Sequence, residues 1–202
     1  MYGDSGSELQ DRAAAMCADL GSRGLGYACK YIASGFIQRV WDLRKAALGL
    51  LTGMPGDARP VTAIEDTAVA PKDLSRYVDE MQRLMQRNDC ECVFYGHAGA
   101  GLLHLRPMLN MKTESGLAKF RSILEETADL LKKFNGSLSG EHGDGRLRAR
   151  LLERMLDPEV YVFLLETKRI FDPNGIMNPG KVVAGPDPSE ALRADPCSLT
   201  PE

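Results

Sequence analysis

The sequence predicts an α+β fold, on three observations. Apolar residues recur at helical spacing along most of the 202-residue chain, four short strand-like stretches interrupt that pattern, and two of those stretches are separated by nothing longer than a glycine-rich turn. Neighbours joined so tightly must pair antiparallel, because a parallel crossover needs a dozen residues or more. The expectation is therefore an antiparallel or mixed sheet with helices packed on one face and further helices at the C-terminus.

In order, residues 7–20 read as a short amphipathic helix, and after Gly21, Gly24 and Gly26 residues 27–32 read as a strand. Residues 37–51 are helical and strongly apolar, closing at Gly53 and Pro55, and RPVTAIEDTAVA at 59–70 has the β-branched content of a strand. Over 73–87, Leu74, Tyr77, Val78, Met81, Leu84 and Met85 share one helix face. CECVFYGH and LLHLRPML then form the hairpin around GHAGAG. Leu117, Phe120, Leu124, Ala128, Leu131 and Phe134 mark a long amphipathic helix that stops at Asn135-Gly136, a pair suited to the left-handed backbone of a helix end. Helices over 146–155 and 158–170 precede the turn-rich FDPNGIMNPGK. This order is akin to split βαβ, ferredoxin-like arrangements. Residues 1–182 are expected to form one domain cut at its N-terminal side. The Pro-, Asp- and Ala-rich residues 183–202 read as a linker or tail with more protein to follow.

Composition excludes several classes. A formal net charge of −3 supplies no field for a polyanion, and no aromatic-rich strand set accompanies it, so a nucleic-acid module is disfavoured. No G-x-G-x-x-G follows a strand and opens a helix, so a nicotinamide-type dinucleotide fold has no support. Cys17, Cys29, Cys90, Cys92 and Cys197 are scattered and read as reduced thiols; Cys90 and Cys92 lack the basic neighbours of a reactive thiolate. With no signal-type N-terminus and no apolar run of membrane length, the expected location is cytoplasmic, with peripheral membrane attachment through a partner left open.

The chain's three histidines all lie in glycine-rich segments. His97 and His104 flank the hairpin turn, so paired strands bring both imidazoles to one point. In SGEHGDGR, Glu141 and His142 are bracketed by Gly140, Gly143 and Gly145, which frees the backbone to present both side chains. Two imidazoles and a carboxylate form a common zinc set with one position open, and His142 beside it is a candidate general base. The competing reading makes His97 and His104 structural, each satisfied by the backbone, with Glu141 paired to Arg146 or Arg148. Trp41 reads as core, and of Glu65 and Asp66 at least one is expected to face solvent.

GHAGAGLLHLRP, SGEHGDGR and FDPNGIMNPGK, in this order and spacing, resemble the signature segments of the C-terminal domain of FAD-linked oxidases, the group of D-lactate, D-2-hydroxyglutarate and glycolate dehydrogenases. The resemblance runs upstream through WDLRKAALGLL and EDTAVAP to cover about residues 41–181, and GMPGDARP is most similar to long bacterial forms fused to an iron-sulfur module. It implies that His97, His104 and Glu141 bind a divalent metal, usually zinc, and that His142 takes the proton of the substrate hydroxyl while hydride passes to the flavin. It implies that Arg44 engages the substrate carboxylate, a task suited to a planar guanidinium. Asn178 is implied to lie where the C-terminal segment returns to the flavin, and Arg146 is the one arginine of its run expected near the cofactor.

The sequence departs from the family's G-H-x-G-D-G-N-x-H, with Ala100 at the Asp position and Leu102 at the Asn position, and Ile64 replaces a lysine found in some relatives. Two polar neighbours of the metal are lost thereby. The expected function is the substrate side of an FAD-dependent oxidation of a D-2-hydroxyacid. FAD would be held mainly by an N-terminal domain outside this chain, and an iron-sulfur module or quinone would take the electrons. The isolated chain is expected to be inactive. The alternative is a ferredoxin-like metal- or ligand-binding module without redox role.

Overall fold

The structure, a computed structural model, describes residues 3–30, 32 and 34–191. It divides into two compact units, Met1–Leu50 and Leu51–Glu202.

The first unit holds helix α1 (Gly6–Ser22) and most of helix α2 (Ser34–Thr52). Ser5 caps α1 by accepting the Glu8 N–H at 3.2 Å, satisfying one of the free donors of the first turn. Residues 27–30 of the strand expected over 27–32 are irregular; with three glycines just before them and no partner strand among the described residues, their apolar content alone does not make a β-strand. A disulfide joins Cys17 of α1 to Cys29 with Cα atoms 5.7 Å apart, which corrects the expectation of reduced thiols at these two positions. Cys90 and Cys92 are free, and burial pushes the Cys92 thiol up to about 12; Cys197 lies outside the described residues. Trp41, expected in a core, is 46% exposed and carries the Arg44 guanidinium 5.6 Å over its ring.

The second unit is built on the hairpin of β3 (Cys92–His97) and β4 (Leu102–Leu109), paired antiparallel from Cys92↔Pro107 to His97↔Leu102. Along the other edge of β4 run two short pieces, β1 (Arg59–Pro60) opposite Leu109 and Met108, and β2 (Thr67–Ala68) opposite Leu103 and Leu102. Six residues, 61–66, therefore stand opposite four, 104–107. The excess length forces the edge out of the sheet in the manner of a bulge, and this excursion carries Glu65 and Asp66. The expected 59–70 strand is thus real only at its two ends.

Alternation along β4 divides the sheet. Leu103, Leu105 and Leu109 enter the core with Phe94 and Cys92 of β3, while His104 and Arg106 are buried on the opposite face. The core face is covered by α3 (Leu74–Arg87) and α4 (Glu114–Lys133). Tyr77, Met81, Leu84 and Met85 of α3 meet Phe120, Ile123, Leu124, Ala128 and Leu131 of α4, each set at spacings of three and four. Thr113 caps α4 through the Gly116 N–H at 3.0 Å, and the helix ends as its sequence predicts, with Asn135 at φ 48° and Gly136 N–H returning to the Leu131 carbonyl at 2.9 Å. Two further helices, α5 (Ala149–Met155) and α6 (Pro158–Phe171), complete the α+β arrangement. Residues 183–191 run back beside α4 and α5, where Asp187 receives Arg150 at 3.1 Å and lies 3.5 Å from Arg121; the rest of the proposed tail, 192–202, lies outside the described residues.

The hairpin turn depends on Gly101. Its φ of +69° is left-handed, and an added Cβ would collide with the carbonyl oxygen of Val69. Gly101→Ala is expected to cost about 1–3 kcal/mol, the range for forced overpacking and a strained backbone, read as a lowered midpoint in urea denaturation. An unchanged midpoint would mean that the turn has another accessible shape.

Candidate metal centre

The polar face of the sheet gathers the site. Tyr95 and His104 are directly paired across β3 and β4, and His97 lies two residues beyond Tyr95 on the same face. The rings of His97 and His104 are 5.4 Å apart, centre to centre, as the hairpin spacing predicts. A loop after α4 closes over them: residues 137–142 run beside β2, with Ser137 and Ala68 exchanging both main-chain hydrogen bonds at 2.8 and 3.0 Å. Gly140 sits against Leu102, whose side chain would lie 2.5 Å from any Cβ added there. Leu102, which replaces a polar residue of the expected pattern, therefore serves to seat the loop that brings in Glu141 and His142.

Asp66 anchors that loop from beneath. Its wholly buried carboxylate accepts the Ser139 hydroxyl at 2.5 Å, the His142 N–H at 2.7 Å and the Glu141 N–H at 3.1 Å, with Arg148 Nη1 3.8 Å away. Burial on its own pushes this carboxyl up; the Ser139 hydroxyl, the two main-chain N–H groups and the facing His142 outweigh it and hold Asp66 below its ordinary value. Nearby Asp144 goes the other way, raised by burial and by the charge of Asp66 against the pull of Arg148.

Glu141 projects from the anchored loop into the imidazoles. Its Oε1 lies 3.4 Å from Nε2 of His104, 3.6 Å from Nε2 of His142 and 3.9 Å from Nε2 of His97. The rings of His104 and His142 stack within 10° of parallel, 5.6 Å apart. His104 is buried, and its Nδ1 donates to the main-chain carbonyl of Glu65 at 2.6 Å, which leaves the Nε2 lone pair aimed at the cluster. Metal–ligand bonds of about 2.0–2.2 Å place tetrahedral ligand atoms about 3.3 Å apart. The separations of Glu141 from His104 and His142 are close to that value and His97 is farther, so these side chains could hold a metal ion; the group whose ligand atoms all lie within 4.8 Å of one another is Asp66, His104, Glu141 and His142, without His97. Asp66 also lies near, its carboxylate within 4.8 Å of ligand atoms on His104, Glu141 and His142, yet its oxygens are already taken by the loop donors and serve the fold.

All four residues expected at the centre, His97, His104, Glu141 and His142, are thus brought together. Glu141 turns to the histidines and not to Arg146 or Arg148. Neither Glu65 nor Asp66 faces solvent: the Glu65 side chain is 20% exposed and bridges to Arg106 at 2.5 Å, and Arg106 Nε donates to the Tyr95 hydroxyl at 3.1 Å. Arg146 is exposed; the inward arginine is Arg148, which donates to the Gly143 carbonyl at 2.8 Å. Asn178 sits at φ 48° on an exposed turn whose shape is set by buried Asp172, acceptor of the Ile176 and Met177 N–H groups at 2.9 Å. Arg44 belongs to the first unit. Arg106, Tyr95 and Arg148 were missed, although strand alternation from His104 places Arg106 on the site face.

The family model for FAD linked oxidases, C-terminal domain, matches residues 2–182. The chain belongs to this family. Among relatives of this FAD-linked oxidase domain, a D-2-hydroxyglutarate dehydrogenase of Haemophilus influenzae is 37% identical over 156 residues, covering 77% of this chain and 15% of the relative. Another of the same name from Escherichia coli is 33% identical over 200 residues, covering 95% of this chain and 19% of the relative. A D-lactate dehydrogenase of Archaeoglobus fulgidus is 34% identical over 128 residues, 63% of this chain and 28% of the relative. The matched stretches of this FAD-linked oxidase domain cover 15% to 28% of these proteins. Among its described residues no helix is long and apolar enough to cross a membrane.

Proposed function

We propose that this domain supplies the substrate side of an FAD-dependent enzyme that oxidises a D-2-hydroxyacid to the 2-oxoacid. The observation that carries the reading is the approach of three imidazole Nε2 atoms to within 3.4–3.9 Å of one Glu141 oxygen. His97, His104 and Glu141 would hold a divalent metal, which as a Lewis acid lowers the cost of removing the substrate hydroxyl proton. FAD bound by its own domain would supply the acceptor for the hydride and both of its electrons.

The chain's own part is binding and proton transfer. His142 takes the hydroxyl proton, and it suits that role better than His97 because its Nε2 faces the centre while carboxylates stand behind it, Nδ1 lying 3.7 Å from Glu65 and 4.0 Å from Asp66. The family resemblance assigns Arg44 to the substrate carboxylate, a task suited to a planar guanidinium, and Asn178 to the flavin side, and Arg146 is placed with the latter. The N-terminal FAD-binding domain requires a docking surface, and the exposed Phe163, Ile170, Phe171, Ile176 and Met177 on and after α6 provide apolar area for one. An iron-sulfur module or quinone is proposed as the electron acceptor, and zinc as the metal.

Elemental analysis of the purified full-length protein tests this. About one zinc or comparable divalent ion per site beyond any iron is expected, lost in a His97→Ala/His104→Ala/Glu141→Ala variant together with D-2-hydroxyacid oxidation. A wild-type protein without such a metal, or a variant that keeps both metal and activity, would overturn the reading.

A further inference from the structure

One residue touches both stacked imidazoles from behind. The main-chain carbonyl of Glu65 accepts the His104 Nδ1–H at 2.6 Å, and its carboxylate Oε1 faces His142 Nδ1 at 3.7 Å. Each ring turns its Nε2 toward the same Glu141 oxygen, at 3.4 and 3.6 Å, and the two rings lie within 10° of parallel. The other Glu65 oxygen, Oε2, is pinned by Arg106 Nη2 at 2.5 Å, and Arg106 is itself buried and braced by the Tyr95 hydroxyl. Side chains of β3 and β4 thereby fix a carboxylate that belongs to the edge excursion, and that carboxylate faces a histidine of the 137–142 loop.

We infer that Glu65 is a positioning residue for both imidazoles, its carbonyl orienting His104 and its carboxylate orienting His142. The inference rests on the function proposed above. Asp66 is the competing partner for His142 Nδ1, but it is 0.3 Å farther away and its carboxylate is occupied by Ser139, two main-chain N–H groups and Arg148. Glu65 Oε1 is turned to His142. At 3.7 Å the Glu65 carboxylate acts on His142 as a facing charge and not through a formed hydrogen bond; it favours the tautomer with Nδ1–H on its side, which leaves the Nε2 lone pair toward the centre, where it can take a proton. A glutamine at 65 loses the negative charge and can offer its amide N–H to Nδ1, which favours the opposite tautomer. In a histidine base backed by a carboxylate, the corresponding acid-to-amide change costs up to about 10⁴-fold in kcat.

The two contacts separate in the experiment because one is main chain and the other side chain. In the full-length protein, Glu65→Gln keeps the carbonyl on His104, so metal content should match wild type, while the buried Arg106 left without its counter-charge lowers the melting temperature. Its kcat with a D-2-hydroxyacid should fall about 10²–10⁴-fold while KM changes little. Arg106→Gln, combined with Glu65→Gln to remove the unpaired buried cation, should restore any lost stability and leave kcat low. Retained kcat in Glu65→Gln would overturn the inference, and so would a fall in kcat accompanied by metal loss, because that marks support of the fold and not orientation of His142. Absence of metal or activity in the wild type would instead strike at the proposed function, so the two failures are distinguishable.

Discussion

Asp66→Ala is expected to lower the melting temperature by roughly 6–20 °C and to abolish metal binding. Asp66 is wholly buried, and its carboxylate accepts from Ser139, Glu141 and His142 while facing Arg148, itself buried. Removing it strands three loop donors and leaves a guanidinium without its counter-charge. Uncompensated buried charges cost about 3–5 kcal/mol, and each kcal/mol moves the midpoint about 2–4 °C in a chain of this size. Because the same carboxylate sets the backbone of Glu141 and His142, stability and metal content should fall together in calorimetry and elemental analysis. A variant that melted early yet kept its metal would show that the loop holds its shape without Asp66. The pH dependence has a definite sign. The Asp66 carboxyl is depressed in the folded state, so its contribution is complete above the ordinary value of 3.8 and is lost as pH falls below it toward the folded value. Below about pH 4 the wild type should therefore lose stability more steeply than Asp66→Asn, whose amide has no charge to titrate.

His142→Gln should lower kcat of the full-length protein about 10²–10⁴-fold, the usual worth of a positioned general base, with KM and metal content close to wild type. The side chain is 41% exposed, so replacing it with another polar group should leave the fold intact. His104→Gln should behave differently: that imidazole is only 8% exposed and is bonded to the Glu65 carbonyl, so metal and activity should disappear together. Steady-state kinetics and elemental analysis on the two variants separate base from ligand. Equal metal loss in both would make His142 a fourth ligand and move the base elsewhere.

The hairpin was the most legible part of the site. GHAGAG between two apolar runs predicts a tight antiparallel pair, and alternation then brings His97 and His104 to one face, as found. The helix faces of α3 and α4 and the Asn135-Gly136 stop were equally readable, because local spacing and local backbone preference determine them. The 61–66 excursion was not, since a two-residue excess appears only when a strand is counted against its partner, and period-two patterning carries no record of the partner's length. For the same reason Glu65 and Asp66 looked like ordinary strand residues with one side to water. The Cys17–Cys29 link was hidden too, because scattered cysteines do not specify their pairing. Arg148 lay in an arginine-rich run whose inward member only the packing around Asp66 selects.

The alternation of β4 has an evolutionary corollary. Its odd positions, Leu103, Leu105 and Leu109, answer to packing, and its even positions, His104 and Arg106, answer to chemistry. Along this one strand, selection on the polar site and selection for a tolerable melting point act on separate sets of residues, although buried Arg106, paired with Glu65, answers to both. A single-residue insertion ahead of His104 would exchange the two sets at once, which makes strand length here far less free to vary than side-chain identity.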